Sequence, residues 1–163
     1  MDSFGWFPSY INKKGKYSDY LTKIYENEFI EILYESKYDI ETNVNGVNYL
    51  YHLTPDIKWN KIKISGLTSK NGEKLTNHPG RVYFLKNKLN NDDLLELSFL
   101  LLNNYQYKDR VKEYFLLKID ISKLKESITF YKDPNFHLGE AIWTYENIPP
   151  MFIKIEQKID ITY

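Results

Sequence analysis

The chain has no cysteine among its 163 residues, which excludes disulfide staples, thiolate nucleophiles and zinc-thiolate sites and leaves the fold to stand on packing. It has no charge excess either: 22 Lys plus Arg stand against 22 Asp plus Glu, with 11 basic and 10 acidic residues through Arg81. Without a global basic field nothing draws the whole molecule to nucleic acid, and only a local patch could do so. No stretch reaches the roughly 18 uninterrupted apolar residues of a membrane-spanning helix. The opening MDSFGWFP has neither a basic leader nor a long apolar core, so a soluble, cytoplasmic product without membrane contact is expected. Gly/Ser linkers, low-complexity tracts and internal repeats are also missing, and a single domain is expected. Its length allows about two-thirds of the unfolded surface to be buried in one core. GxxxxGK, a strand-borne GxGxxG, HExxH and GxSxG are all absent, which removes the familiar short motifs for nucleotide hydrolysis, dinucleotide redox chemistry, zinc proteolysis and ester hydrolysis.

What is present begins with 15 tyrosines beside abundant Asn, Lys and Ile. An AT-rich coding genome produces the same mix, so tyrosine alone says little about base stacking. Residues 1–17, with Gly5, Pro8, Asn12 and Gly15, read as an irregular arm. Over 18–36 the spacing predicts a helix capped by Ser18, with Leu21, Ile24, Tyr25, Phe29, Ile32 and Leu33 on one stripe and an acidic solvated face opposite. After the turn signal Asn43-Val44-Asn45-Gly46, residues 47–54 read as a strand rich in β-formers. Pro55 then suits a helix start, and Gly66 its stop. The polar run 68–80 is expected to be a loop over a pocket. Residues 81–85 read as a strand, and a second, nearly fully buried helix runs to Asn103 with Asp92 or Asp93 as its cap. Strands are expected over 114–121 and 127–131 and from Phe152 onward, the last marked by Ile153, Ile155, Ile159 and Ile161. This order argues for α+β rather than a doubly wound sheet, with a core over 47–162.

The residues with chemistry are few. On a strand, His52 and Thr54 point the same way and present an imidazole and a hydroxyl side by side, where a ribose diol could be gripped. The bland alternative for His52 is a core imidazole bonded to a backbone carbonyl. Tyr83 offers a ring face and Arg81, two positions earlier, a guanidinium suited to phosphate or simply to solvent. Three carboxylates lie late in the chain: Glu140 before Ala141-Ile142-Trp143, Glu146, and Asp133, which precedes Pro134 and reads as a turn former. The three histidines, His52, His78 and His137, are scattered, and no metal site is expected.

Tyr51-His52-Leu53-Thr54, the helix ending at Gly66-Leu67, Arg81-Val82-Tyr83-Phe84, and Glu140-Ala141-Ile142-Trp143 with Ile148-Pro149-Pro150 resemble, in order and spacing, the motifs of the ADP-ribosyltransferase superfamily. The similarity is greatest to compact bacterial and phage members and to the DNA-modifying toxins and RNA 2′-phosphotransferases of that fold, and it spans about 49–155. It implies a split, mostly antiparallel sheet with flanking helices, acting as a monomer. It further implies NAD as substrate and a protein or nucleic acid as acceptor. His52 and Thr54 would hold ribose, Tyr83 would stack on nicotinamide, Arg81 would meet a phosphate, and Glu140 would be the catalytic carboxylate. The middle strand lacks the Ser-Thr-Ser of arginine-modifying transferases, which argues against a protein arginine acceptor. The basic set of the RNA 2′-phosphotransferases is not evident beyond Lys74, His78 and Arg81. Removal of an RNA 2′-phosphate, plain NAD hydrolysis, and a non-catalytic binding or inhibitor module are the alternatives.

Overall fold

The computed structural model of the chain describes residues 39–68, 80–103, 105–133, 136 and 138–161. The expected arm over 1–17, the helix over 18–36, Lys74 and His78 in the expected loop, and His137 lie outside the described residues.

Seven strands form one sheet in the order β1-β5-β6-β3-β2-β4-β7, with every described pairing antiparallel, so the fold is α+β. They are β1 (Glu41–Thr42), β2 (Tyr49–Pro55), β3 (Val82–Leu85), β4 (Glu113–Asp120), β5 (Phe130–Asp133), β6 (Ala141–Thr144) and β7 (Ile153–Asp160). Among the described residues two helices accompany them, α1 (Trp59–Ser65) and α2 (Asn91–Asn103). Because side chains alternate across a strand, two apolar clusters arise, one on each face. Leu50, Phe84, Leu117 and Ile142 meet Ile62 of α1 on the first face. Leu85, Leu116, Ala141 and Ile159 meet Leu94 and Leu97 of α2 on the second. A strand covered on both sides carries no polar alternation, which is why Tyr114, Phe115, Leu116 and Leu117 are buried in succession on β4. Each fully buried Leu stabilises the fold by about 1.5–3 kcal/mol.

Pro55 ends β2 and leads into a 3₁₀ turn, Asp56–Lys58, before α1. Gly66 stops α1 with φ +79°, and its amide donates to the Ile62 carbonyl at 2.7 Å. Leu67 and Ile148 then exchange two backbone hydrogen bonds, 3.0 and 2.8 Å, tying the end of α1 to the Ile148-Pro149-Pro150 turn. A Cβ at Gly66 would strike the Ile148 carbonyl oxygen, so the approach requires glycine here.

Several expectations are corrected. The cap of α2 is Asn90, whose side chain accepts from the Asp93 amide at 2.8 Å; Asp92 and Asp93 sit in the first turn. The helix is amphipathic rather than fully buried, with Leu94, Leu97 and Ser98 inside and Leu95 38% exposed. The strand expected from Ser127 begins at Phe130, because residues 121–128 form turns in which the Leu124 carbonyl accepts from Ser127 and Ile128. Asp133 is a buried residue at the end of β5, and the rest of its expected turn, Pro134 and Asn135, lies outside the described residues.

The joint between β2 and β3 is the feature that positions the site. β2 pairs with β4 at all seven of its residues, yet its ladder with β3 has one pair, Tyr51↔Leu85. Beyond that pair no further ladder bridge joins the two strands among the described residues.

Candidate functional site

His52 follows this pair on β2. Its Nδ1 lies 2.6 Å from the Tyr83 carbonyl oxygen, and its ring packs edge-on against Phe84 with centroids 6.0 Å apart. A carbonyl can only accept, so Nδ1 carries the proton and Nε2 keeps a lone pair. Desolvation by burial drives the pKa of His52 down from 6.5 to about 4, helped by the nearby Lys58 charge and opposed by the bond to Tyr83. The imidazole is therefore neutral at pH 7, with its tautomer fixed by the main chain and Nε2 available to a hydroxyl donor. The reading of His52 as an imidazole bonded to a backbone carbonyl is the one seen, and that bond leaves Nε2 as an acceptor. Thr54 follows on the same face but is buried.

Tyr83 leaves β3 on the opposite face, so the Tyr83 carbonyl, not its ring, touches His52. The half-buried ring leans on Trp143 of β6, with centroids 5.9 Å apart. Arg81 lies deeper, its side chain fully buried, which overturns its solvated reading. The guanidinium stacks 4.0 Å above the Trp143 ring, stands 3.6 Å from Asp39 and donates to the Tyr83 hydroxyl at 3.4 Å. Tyr131 stacks on the same Trp143 at 6.1 Å, and the Tyr145 hydroxyl donates to Asp39 at 3.0 Å. Sequence reasoning missed Trp143, Tyr131, Tyr145 and Asp39 as partners of Arg81. The signal was there in part, because Arg81 and Tyr83 alternate on one strand as Trp143 and Tyr145 do on its neighbour.

Glu140 immediately precedes β6, as expected, and its carbonyl accepts from the Lys86 amide at 2.9 Å. Three residues separate it from Trp143, or about 10 Å along the strand. Its carboxylate is 64% exposed and 3.8 Å from Lys86 Nζ. Glu140 borders a pocket of about 170 Å³ lined also by Thr42, Lys86, Lys132, Asp133 and Ala141; its lining includes neither His52 nor Tyr83. Glu146 faces elsewhere, accepting from the Thr129 amide at 3.4 Å. The fold thus joins His52 to Tyr83 through the main chain and Arg81 to Tyr83 through the side chains, and stands Glu140 apart at the end of the β3–β6 ladder. Among the described residues, no helix is long and apolar enough to cross a membrane.

Neither protein-family models nor curated proteins gave a match to this chain.

Proposed function

We propose that the protein transfers ADP-ribose from NAD to a macromolecular acceptor, with the joint between β2 and β3 serving as the split of an ADP-ribosyltransferase-like sheet. One observation carries this reading: a neutral histidine, its tautomer set by the Tyr83 carbonyl, follows the single residue pair that joins these strands. His52 Nε2 accepts a hydrogen bond from a ribose hydroxyl, and the half-buried Tyr83 ring, on the other face of β3, meets nicotinamide where the dinucleotide passes between the two strands. Arg81 is committed to Trp143 and Tyr83, so its part is to hold that ring rather than to grip phosphate. Glu140 orients the 2′-hydroxyl of the reacting ribose. As the glycosidic C–N bond breaks and its electron pair leaves with nicotinamide, the carboxylate faces the positive charge growing on the sugar. That attraction is strongest in the transition state, which is the condition for rate acceleration. An acceptor nucleophile then bonds to the anomeric carbon and releases its proton.

A different observation favours a binding module without catalysis: the pocket beside Glu140 is lined by neither His52 nor Tyr83. Release of nicotinamide from NAD separates the two. The transferase reading expects release by the parent and a loss of about 100-fold or more in Glu140→Gln. Equal release by parent and variant removes Glu140 from the mechanism, and no release by the parent removes the reaction. A gain of one ADP-ribose in intact mass, on protein, DNA or RNA, identifies the acceptor. Removal of an RNA 2′-phosphate is the weaker enzymatic alternative, since the sequence shows no full basic set for the phosphate and Arg81 is buried.

A further inference from the structure

Two polar segments meet beside β2. The 3₁₀ turn Asp56–Lys58 follows β2, and a second, Lys108–Arg110, precedes β4. The Lys112 amide donates to Asp56 Oδ1 at 3.4 Å, although the two residues are 56 apart in sequence. Across this contact Lys58 Nζ stands 5.1 Å from the centre of the Tyr105 ring. Tyr105 and Tyr107 meet edge to face at 5.6 Å, and the Arg110 guanidinium lies 4.9 Å over the Tyr107 ring. Tyr107 is 42% exposed. Among the described residues neither Arg110 nor Lys108 has an ion pair with a carboxylate.

The charge here departs from that of the whole chain. Residues 56–63 and 105–112 hold Lys58, Lys61, Lys63, Lys108, Arg110 and Lys112 against Asp56 and Asp109, whereas the totals for the chain cancel. An exposed tyrosine ring bracketed by cations suits a chain of unpaired bases, because each base has a π-face to stack and each phosphate a charge to meet. A duplex hides its base faces and gains only the charge term.

We propose that the Tyr105–Tyr107 platform, with Lys58, Lys108 and Arg110, is a binding surface for single-stranded nucleic acid. A base stacks on the Tyr107 ring while Arg110 and Lys108 meet the flanking phosphates. Lys58 belongs to the 3₁₀ turn that directly follows β2, the strand that carries His52. Strand binding stands without the transfer reaction; where that reaction operates, the platform delivers the acceptor to it.

The test is fluorescence anisotropy of the full chain with labelled oligothymidylate and oligouridylate of about 12 nucleotides, each with an unlabelled duplex as competitor, over a series of salt concentrations. Saturable binding of either strand that weakens with salt is expected, with the duplex competing poorly. Tyr107→Ala should weaken binding by about 5- to 100-fold and Tyr107→Phe should restore it, because the ring face carries the effect. Arg110→Gln should lower the slope of log affinity against log salt by about one. The unfolding midpoint of Tyr107→Ala confirms that the variant is folded. Absence of saturable binding at low salt, a Tyr107→Ala variant that binds like the parent, or a duplex that competes as well as the strand would each overturn the proposal. The assay contains no NAD, so its failure and the failure of the transfer reading are separate results.

Discussion

Replacing Gly66 by alanine is expected to destabilise the protein by about 2–6 kcal/mol, and the figure follows from the local geometry. Gly66 has φ +79° and ψ −169°, a region essentially reserved for glycine, where a side chain costs about 1–3 kcal/mol. The new Cβ would collide with the Ile148 carbonyl oxygen and crowd Pro150 Cδ. Relief requires Leu67 and Ile148 to separate, which sacrifices two backbone hydrogen bonds contributing about 0.5–1.5 kcal/mol each. Total stabilities of domains are about 5–15 kcal/mol, so the loss is readily measured. Gly46 is the built-in control. It shares φ +79°, yet nothing lies within 4 Å of where its Cβ would sit, so Gly46→Ala carries only the conformational cost of about 1–2 kcal/mol. Urea unfolding of the parent and both variants measures the difference, with an unchanged m-value assuring a like-for-like comparison. If Gly66→Ala proves no less stable than Gly46→Ala, the contact between the end of α1 and the Ile148-Pro149 turn does not constrain the fold as argued.

Stability should also depend on pH through His52. Its folded pKa of about 4 lies below the ordinary 6.5, so as pH falls the unfolded chain binds the proton first and stability drops between about 6.5 and 4. The loss reaches at most about 3 kcal/mol, and parallel pH profiles for the parent and His52→Gln would refute it. Arg81→Lys should cost about 2 kcal/mol despite keeping the charge, because an ammonium cannot reproduce the planar stack on Trp143. Chemical denaturation followed by tryptophan fluorescence reads that loss, and a neutral effect would mean that the stack contributes nothing. Glu140→Gln removes only an exposed pair with Lys86 and should shift stability by less than about 1 kcal/mol, so any loss of nicotinamide release reports chemistry rather than unfolding. A large drop in its unfolding midpoint would remove that distinction.

The sequence made legible whatever local periodicity or backbone chemistry dictates. The strand through His52, the helix stop at Gly66 and the run into β4 follow from β-forming residues and a left-handed glycine and stand close to where the pattern put them, whereas Pro55, read as a helix start, closes β2 ahead of a 3₁₀ turn. The immediate neighbourhood of the candidate site was legible in the same way, since strand alternation sets His52 beside Thr54 and Arg81 beside Tyr83. It could not show that Tyr83 would meet His52 through its carbonyl, because that depends on which strand lies alongside β2 and how far their ladder runs.

Tertiary structure decided the rest, and β7 shows why. Ile153, Ile155 and Ile159 are two and four residues apart, so an undisturbed strand would place them all on one face. A bulge sets Ile155 and Gln157 opposite consecutive residues of β4, so Ile153 and Ile155 join the cluster near α1 and Ile159 the cluster near α2. The two-residue strand β1 is likewise too short to leave a period, and exists because β5 offers it a partner. Arg81 reads as a surface cation until Trp143, Tyr145 and Asp39 close around it from other segments. Period and propensity are properties of neighbours along the chain, so the sequence by itself determined most of the longer strands and helices. Pairing, bulging and burial depend on contacts between distant segments, and only the assembled sheet could decide them.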